Sequence, residues 1–196
     1  MASLIEHINN TDIYLIDQIL KGRYTSRERI LDAGCREGRN LNWFYHNGFD
    51  LWGVDTEPEA IEQIKANYPK VATQFRVEEI ANLSFASNTF DHILCMAVLH
   101  FAQSETHFIQ MFEQLLRVLK PAGTLLIRMT STIGDAATMQ HLQDGRYALA
   151  DGSERFLLTP EHIASLQKKH RFQLLEPIKT TNVQDLRYMT TLAIQK

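Results

Sequence analysis

The residues best suited by type and spacing to do chemistry stand at the ends of short apolar runs. Asp32-Ala33-Gly34-Cys35-Arg36-Glu37-Gly38 follows the first of them. Gly34 permits a tight turn, and Gly38 allows close approach of backbone to a ligand where the next helix begins. Asp55 ends a second run, about 17 residues after Gly38. A carboxylate there can accept two hydrogen bonds from ribose hydroxyls, or it can cap the helix that follows. Glu78-Glu79-Ile80 follows a third run. Glu79 could accept from an adenine amino group with Ile80 packed on the ring, or the pair could form a solvated acidic loop. Cys95-Met96-Ala97-Val98-Leu99-His100 closes a fourth. His100 could act as acid or base near neutral pH, or be structural.

Two other phosphate-binding turns are excluded. G-x-G-x-x-G counted from Gly34 requires glycine where Arg36 and Arg39 stand, and no G-x-x-x-x-G-K-[ST] occurs.

These positions need elements to hold them. Short strand-like runs alternate with longer helical ones. The spacing predicts helices over 11–22, 38–47, from Pro58 to about Tyr68, over 104–119 and from Thr159 to about Lys169. Thr11 is the candidate cap of the first. Strands are expected at RILDA, LWGVD, TQFRV, FDHILCMAV, TLLIRM, FQLLEPI (172–178) and DLRYMTTLAIQ (185–195), with Pro121-Ala122-Gly123 as a turn. Such alternation implies an α/β fold, a doubly wound sheet with helices on both faces. The last two strands are too close for a parallel crossover, so one must run antiparallel. In such a sheet ligands sit beyond the carboxyl ends of the strands, where all four candidate positions lie.

The chain has 196 residues and a net charge of −3, which suits one domain and gives no broad positive field for nucleic acid. Lys168, Lys169, His170 and Arg171 read as a solvated helix end. The two cysteines, Cys35 and Cys95, make neither a disulfide framework nor a metal site and point to a cytoplasmic location. Neither a signal peptide nor a membrane-spanning run is evident, so no membrane partner is expected.

The segments ILDAGCREGRN, LWGVDTEPEAI, VEEIANLSFASNTFDHILCMAVLHF and LLRVLKPAGTLLI, in this order over about residues 29–129, resemble successive motifs of the class I S-adenosylmethionine-dependent methyltransferases. Gly38-Arg39-Asn40 and the small size look closest to the tellurite-resistance-type and related small-molecule branches. The resemblance implies a Rossmann-like seven-stranded sheet of order 3-2-1-4-5-7-6 with strand 7 antiparallel. It implies S-adenosylmethionine as cofactor, with S-adenosylhomocysteine as product. Asp32, Gly34 and Gly38 would hold the methionine end, Asp55 the ribose, Glu79 and Ile80 the adenine. Cys95 and Met96 would line the wall near the methyl group. Cys35, Arg36 and Thr56 belong to the same cofactor-binding set.

The family usually has glycine where this chain has Arg36. The side chain there could crowd the methionine moiety, demand a positive φ, point away, or pair with the cofactor carboxylate. His100 is the candidate catalytic residue, and Tyr14, Arg128 and Tyr147 are candidates for contacting the acceptor. CMAVLH lacks the Asp/Asn-Pro-Pro-Tyr signature of methyltransferases acting on adenine in DNA, so no DNA substrate is expected. The expectation is one methyltransferase domain, a monomer or homodimer, acting on a small-molecule acceptor. Within it, 1–28 form an N-terminal helical cap, 29–129 the cofactor-binding core, 130–158 an irregular acceptor-side insertion and 159–196 the C-terminal helix and strand pair. A non-catalytic binding module marked by Arg36, or a methyltransferase of protein or RNA, are the alternatives.

Overall fold

A computed structural model describes residues 4–134 and 139–196; parts of the expected N-terminal cap (1–3) and of the 130–158 insertion (135–138) lie outside the described residues. The central sheet is built from β1 (Arg29–Ala33), β2 (Asp50–Asp55), β3 (Phe75–Val77), β4 (Phe90–Met96) and β5 (Leu119–Thr130), all parallel to one another. Helices separate them: α1 (Leu4–Ile8) and α2 (Ile13–Leu20) before β1, α3 (Asn42–His46), α4 (Pro58–Asn67) and α5 (Glu105–Val118) between strands. After β5 come three short strands, β6 (Gln140–His141), β7 (Arg146–Ala148) and β8 (Glu154–Phe156), then α6 (Pro160–His170). The chain ends in β9 (Gln173–Leu174), β10 (Lys179–Val183) and β11 (Arg187–Gln195).

The strand order is β3-β2-β1-β4-β5-β11-β10, with β11 antiparallel to β5 and to β10. This matches the expected order 3-2-1-4-5-7-6, with one displacement. The edge strand is not FQLLEPI but Lys179–Val183, which pairs with β11 through a tight turn at Gln184 and Asp185, both at positive φ. Only Gln173 and Leu174 of the expected strand pair, as an eighth short strand on the far end of β11.

Side-chain alternation sorts the core into two layers. Leu31, Ile93, Cys95, Leu125, Ile127 and Leu192 join α5, α6 and Phe172 on one face. Ile30, Leu94, Met96, Leu126 and Ala193 join α2, α3 and α4 on the other. Both faces of β11 are therefore covered, and Met189 to Ile194 are all buried. A strand sealed on both sides selects no polar face.

Local chemistry sets several ends differently from expectation. Asp12, not Thr11, caps α2: its Oδ1 accepts from the Tyr14 N–H at 3.0 Å. The helix expected over 38–47 shrinks to Asn42–His46, with turns before it. Pro121-Ala122-Gly123 lies inside β5, where the β4–β5 register shifts between Phe90 and His92. The 130–158 insertion is regular in its described part. β6, β7 and β8 form a small antiparallel sheet, fixed to the core where Ser131 bridges Leu158 and Thr130 Oγ1 donates to the Phe156 carbonyl at 3.2 Å.

Candidate active site

The chain turns sharply at the carboxyl end of β1. Gly34, at φ +86°, and Cys35 both donate their N–H groups to the Val54 carbonyl at the end of β2, at 2.8 and 3.0 Å. A Cβ on Gly34 would stand 2.3 Å from a Val98 methyl, so only glycine lets the turn close against that residue. Gly38 is also left-handed, at φ +85°. Its close approach is to Ile64 of α4 and to Tyr68, whose hydroxyl donates to the Gly38 carbonyl at 2.7 Å. Gly38 thus serves packing against α4.

Asp55 fastens this turn to the next. Its Oδ2 accepts from the Arg36 N–H at 2.9 Å and its Oδ1 from the Glu57 N–H at 3.1 Å. Glu78 approaches the same point, its N–H donating to the Asp55 carbonyl at 3.0 Å. Asn40 accepts from the Asp12 N–H at 3.1 Å and so ties the start of α2 to the site.

These segments enclose a cavity of about 660 Å³, within the usual range for small-ligand sites. Gly34, Cys35, Arg36, Asp55, Thr56, Glu79, Ile80 and Met96 all line it, eight of the positions singled out from sequence. Asp32, Gly38, Cys95 and His100 do not form its wall. Cys95 packs on the opposite face of the sheet from Met96, and burial pushes its thiol up, as it does for Cys35. Ala97 and Val98, inside the fourth candidate segment, also line the cavity, and Phe101, Gln103 and His107, which sequence reasoning did not single out, complete the wall beyond β4. His107 Nε2 lies 3.1 Å from Glu79 Oε1, while Glu78 is engaged by the Ser84 N–H and hydroxyl.

Asp32 sits just behind the turn, 1% exposed, with neither carboxylate oxygen hydrogen-bonded among the described residues. Burial, opposed by the charge of Arg39 and reinforced by that of Asp55, pushes its carboxyl up to about 8. An orphaned buried acid facing a glycine turn suits a ligand that brings positive charge or N–H donors, as an amino-acid moiety does.

Arg36 takes φ +44°, the left-handed conformation that a non-glycine residue adopts at a cost. Its side chain is 74% exposed, reaches Glu37 at 3.6 Å and lines the cavity. Only its backbone N–H enters the Asp55 network. Arg36→Gly is therefore expected to stabilise the protein by about 0.5–1 kcal/mol in urea denaturation, since the relief of strain outweighs the added freedom of the unfolded chain. Equal or lower stability of the variant would show that the position carries no strain.

His100 is buried against Phe101, and its Nδ1 accepts from the Thr130 N–H at 3.4 Å. Burial and the charges of Arg155, Arg187 and Arg128 push its pKa down to about 4, so the ring is neutral at physiological pH. With Nδ1 engaged, the proton falls on Nε2, which makes the ring a hydrogen-bond donor and a poor base. Tyr14 hydrogen-bonds through its hydroxyl to Thr181 of β10 and lies 5.3 Å from the Arg128 guanidinium carbon. Tyr147, on β7, packs edge-on against His141. These acceptor-side candidates lie outside the wall of the cofactor-sized cavity.

Residues 31–127 match the methyltransferase domain family. A Bacillus subtilis (strain 168) protein, the uncharacterized methyltransferase YodH, is 30% identical over 99 residues, which are 50% of this chain and 41% of that protein. This chain spans less than half the length of the curated relatives it matches. Among solved structures, an S-adenosylmethionine-dependent methyltransferase from Methanosarcina mazei shares the fold at TM-score 0.72 and 19% identity, over 91% of this chain and 96% of that one. The 1,6-didemethyltoxoflavin-N1-methyltransferase of Burkholderia thailandensis, solved with its substrate and S-adenosylhomocysteine bound, aligns at TM-score 0.68 and 18% identity, over 92% and 75% of the two chains. Through residues 31–127 this chain matches the methyltransferase domain family, and it shares the fold of solved S-adenosylmethionine-dependent methyltransferases.

Proposed function

We propose that this protein transfers the methyl group of S-adenosylmethionine to a small-molecule acceptor. The observation that carries the reading is the cavity at the carboxyl ends of β1, β2 and β4, with a glycine turn on one side and Asp55 on the other. Bound there, S-adenosylmethionine supplies a methyl group activated by its sulfonium. The remaining work falls to the chain, which must bind, align and exclude water; orientation alone can lower such a barrier by roughly 7–11 kcal/mol.

In this reading Asp32 answers the positive charge of the methionine end behind the turn at Gly34, with Cys35 and Arg36 on the same loop. Asp55 keeps lone pairs free for the ribose after accepting two N–H groups, because a carboxylate offers about four acceptor sites. Thr56 lies beside it. Glu79, positioned by His107, and Ile80 take the adenine, and Met96 faces the methyl group. A dedicated base is needed only if the acceptor atom must lose a proton before it attacks the methyl carbon.

The net charge of −3 and the small sheet over the end of β5 support a small acceptor over a nucleic acid. The Burkholderia thailandensis neighbour, bound to a small heterocycle, is compatible with that. Two free buried thiols support a reducing, cytoplasmic setting, and no described helix is long and apolar enough to cross a membrane. Calorimetric titration with S-adenosylmethionine and S-adenosylhomocysteine tests the reading. A micromolar dissociation constant, about −8 kcal/mol, is expected, and absence of binding by both ligands would remove the cofactor assignment.

A further inference from the structure

Three arginines from three separate elements, Arg128, Arg155 and Arg187, bring their charges to bear on His100, which packs against Phe101 of the cavity wall. Arg128 stands at the carboxyl end of β5, in register with Met96 of the cavity wall. Its side chain is 19% exposed and its one carboxylate contact, to Asp12, is long at 3.5 Å. Its Nε is buried without a hydrogen-bond partner among the described residues. Arg155, on β8, places its guanidinium carbon 4.8 Å from the ring centre of Phe101, a half-exposed residue of the same wall. Among the described residues no carboxylate lies within ion-pairing distance of Arg155; its Nη1 donates to the Glu154 carbonyl at 2.8 Å. Arg187, at the start of β11, is paired to Asp151 at 2.6 Å.

The charges do not balance. Among the described residues three guanidiniums face two carboxylates, and one of the two, Asp12, already spends an oxygen capping α2. Close by, His100 adds a neutral ring carrying a hydrogen-bond donor, not a counter-charge. Guanidinium groups are planar forks matched to the two oxygens of a carboxylate or the oxygens of a phosphate. The buried Arg128 Nε, without a partner among the described residues, carries a desolvation cost that a ligand oxygen would relieve, and the Arg155 fork is open to solvent and free to take a ligand.

We infer that the methyl acceptor carries an anionic oxygen group, a carboxylate or a phosphate, which Arg155 and Arg128 hold at the rim of the cavity over Phe101. This rests on the methyl-transfer reading and names the class of its second substrate. Arg187, neutralised by Asp151, adds field but no free fork. Each guanidinium also packs on an aromatic ring, Arg155 on Phe101 and Arg128 on Tyr14, which gives apolar surface beside both forks.

The test uses the whole protein. Titration with S-adenosylhomocysteine comes first and judges the methyl-transfer reading alone. Protein saturated with that ligand is then titrated with benzoate, phenyl phosphate and the neutral isostere benzamide. At least one anion should bind in the millimolar range and benzamide about tenfold more weakly or worse. The preferred anion tells carboxylate from phosphate. Arg155→Gln should weaken binding of that anion roughly tenfold; its affinity for S-adenosylhomocysteine verifies an intact cavity. Arg128→Gln, more deeply packed, is the second variant. Benzamide binding as tightly as both anions, no anion binding, or anion affinity unchanged in Arg155→Gln would each overturn the inference. Anion binding that responds to Arg155→Gln in a protein without affinity for S-adenosylhomocysteine would leave the anion site standing and remove the methyl-transfer reading.

Discussion

Asp55→Ala is expected to lower affinity for S-adenosylhomocysteine by roughly a hundredfold, the loss of two charge-assisted hydrogen bonds to ribose. The same change reaches the fold, because the carboxylate also accepts the Arg36 and Glu57 N–H groups. Those two donors would be left with weaker partners, and stability should fall by about 1–3 kcal/mol. Asp55→Asn separates the two effects. Its amide oxygen can still accept one of the N–H groups, so it should melt closer to wild type. It has no charge and one acceptor oxygen fewer, so its affinity should still drop about tenfold or more. Calorimetry and thermal melting on both variants make the comparison. If Asp55→Asn bound S-adenosylhomocysteine like wild type, Asp55 would be a brace between two loops and nothing more.

The reasons Asp55 was legible in the sequence, and Arg155 was not, are physical. Asp55 ends a run of buried apolar residues, so a charge there must sit at a strand terminus facing water or a ligand. The same logic located Asp32, Glu79 and Met96, each within two residues of the carboxyl end of a core strand. The helix α5 was legible because Phe108, Met111, Phe112, Leu115 and Leu116 repeat at helical spacing and all are buried. The edge strand Lys179–Val183 was not. Its residues are half-buried and mostly polar, and the more apolar FQLLEPI beside it drew the assignment. Its β-branched Thr180, Thr181 and Val183 were the available signal. Val98, Phe101 and His107 join the wall only because the chain folds back after β4 into α5. Arg155 lies on a three-residue strand whose position depends on the Ser131–Leu158 bridge and the Thr130 contact, and tertiary placement of that kind leaves no local pattern. Arg36 illustrates a third case: of the four fates the sequence raised for it, the structure shows the positive φ, with the side chain exposed at the cavity wall.

Asp32→Asn should make the ligand-free protein more stable and the loaded protein less so. In the unfolded chain this carboxyl ionises near its ordinary value of 3.8, whereas burial in the fold pushes it to about 8. Between those values the folded state keeps a proton that the unfolded state has released. Stability must then fall as pH rises from about 4 to about 8. Asparagine has the same shape without the ionisation, so the variant should equal wild type near pH 4 and exceed it at pH 7. The gain is on the order of 2–4 kcal/mol, the larger figure holding where no water relaxes the site. Cofactor binding should respond in the opposite sense. A ligand that brings positive charge to Asp32 favours the ionised form, so wild-type affinity for S-adenosylhomocysteine should strengthen as pH rises toward 8, and Asp32→Asn should lose that dependence along with most of its affinity. Guanidinium denaturation at pH 5 and pH 8, paired with calorimetry at the same two values, reads both effects. Parallel stability profiles for wild type and variant would mean that Asp32 is ionised in the free protein. A variant that bound as tightly as wild type at pH 8 would take Asp32 out of the cofactor site, whatever its effect on the fold.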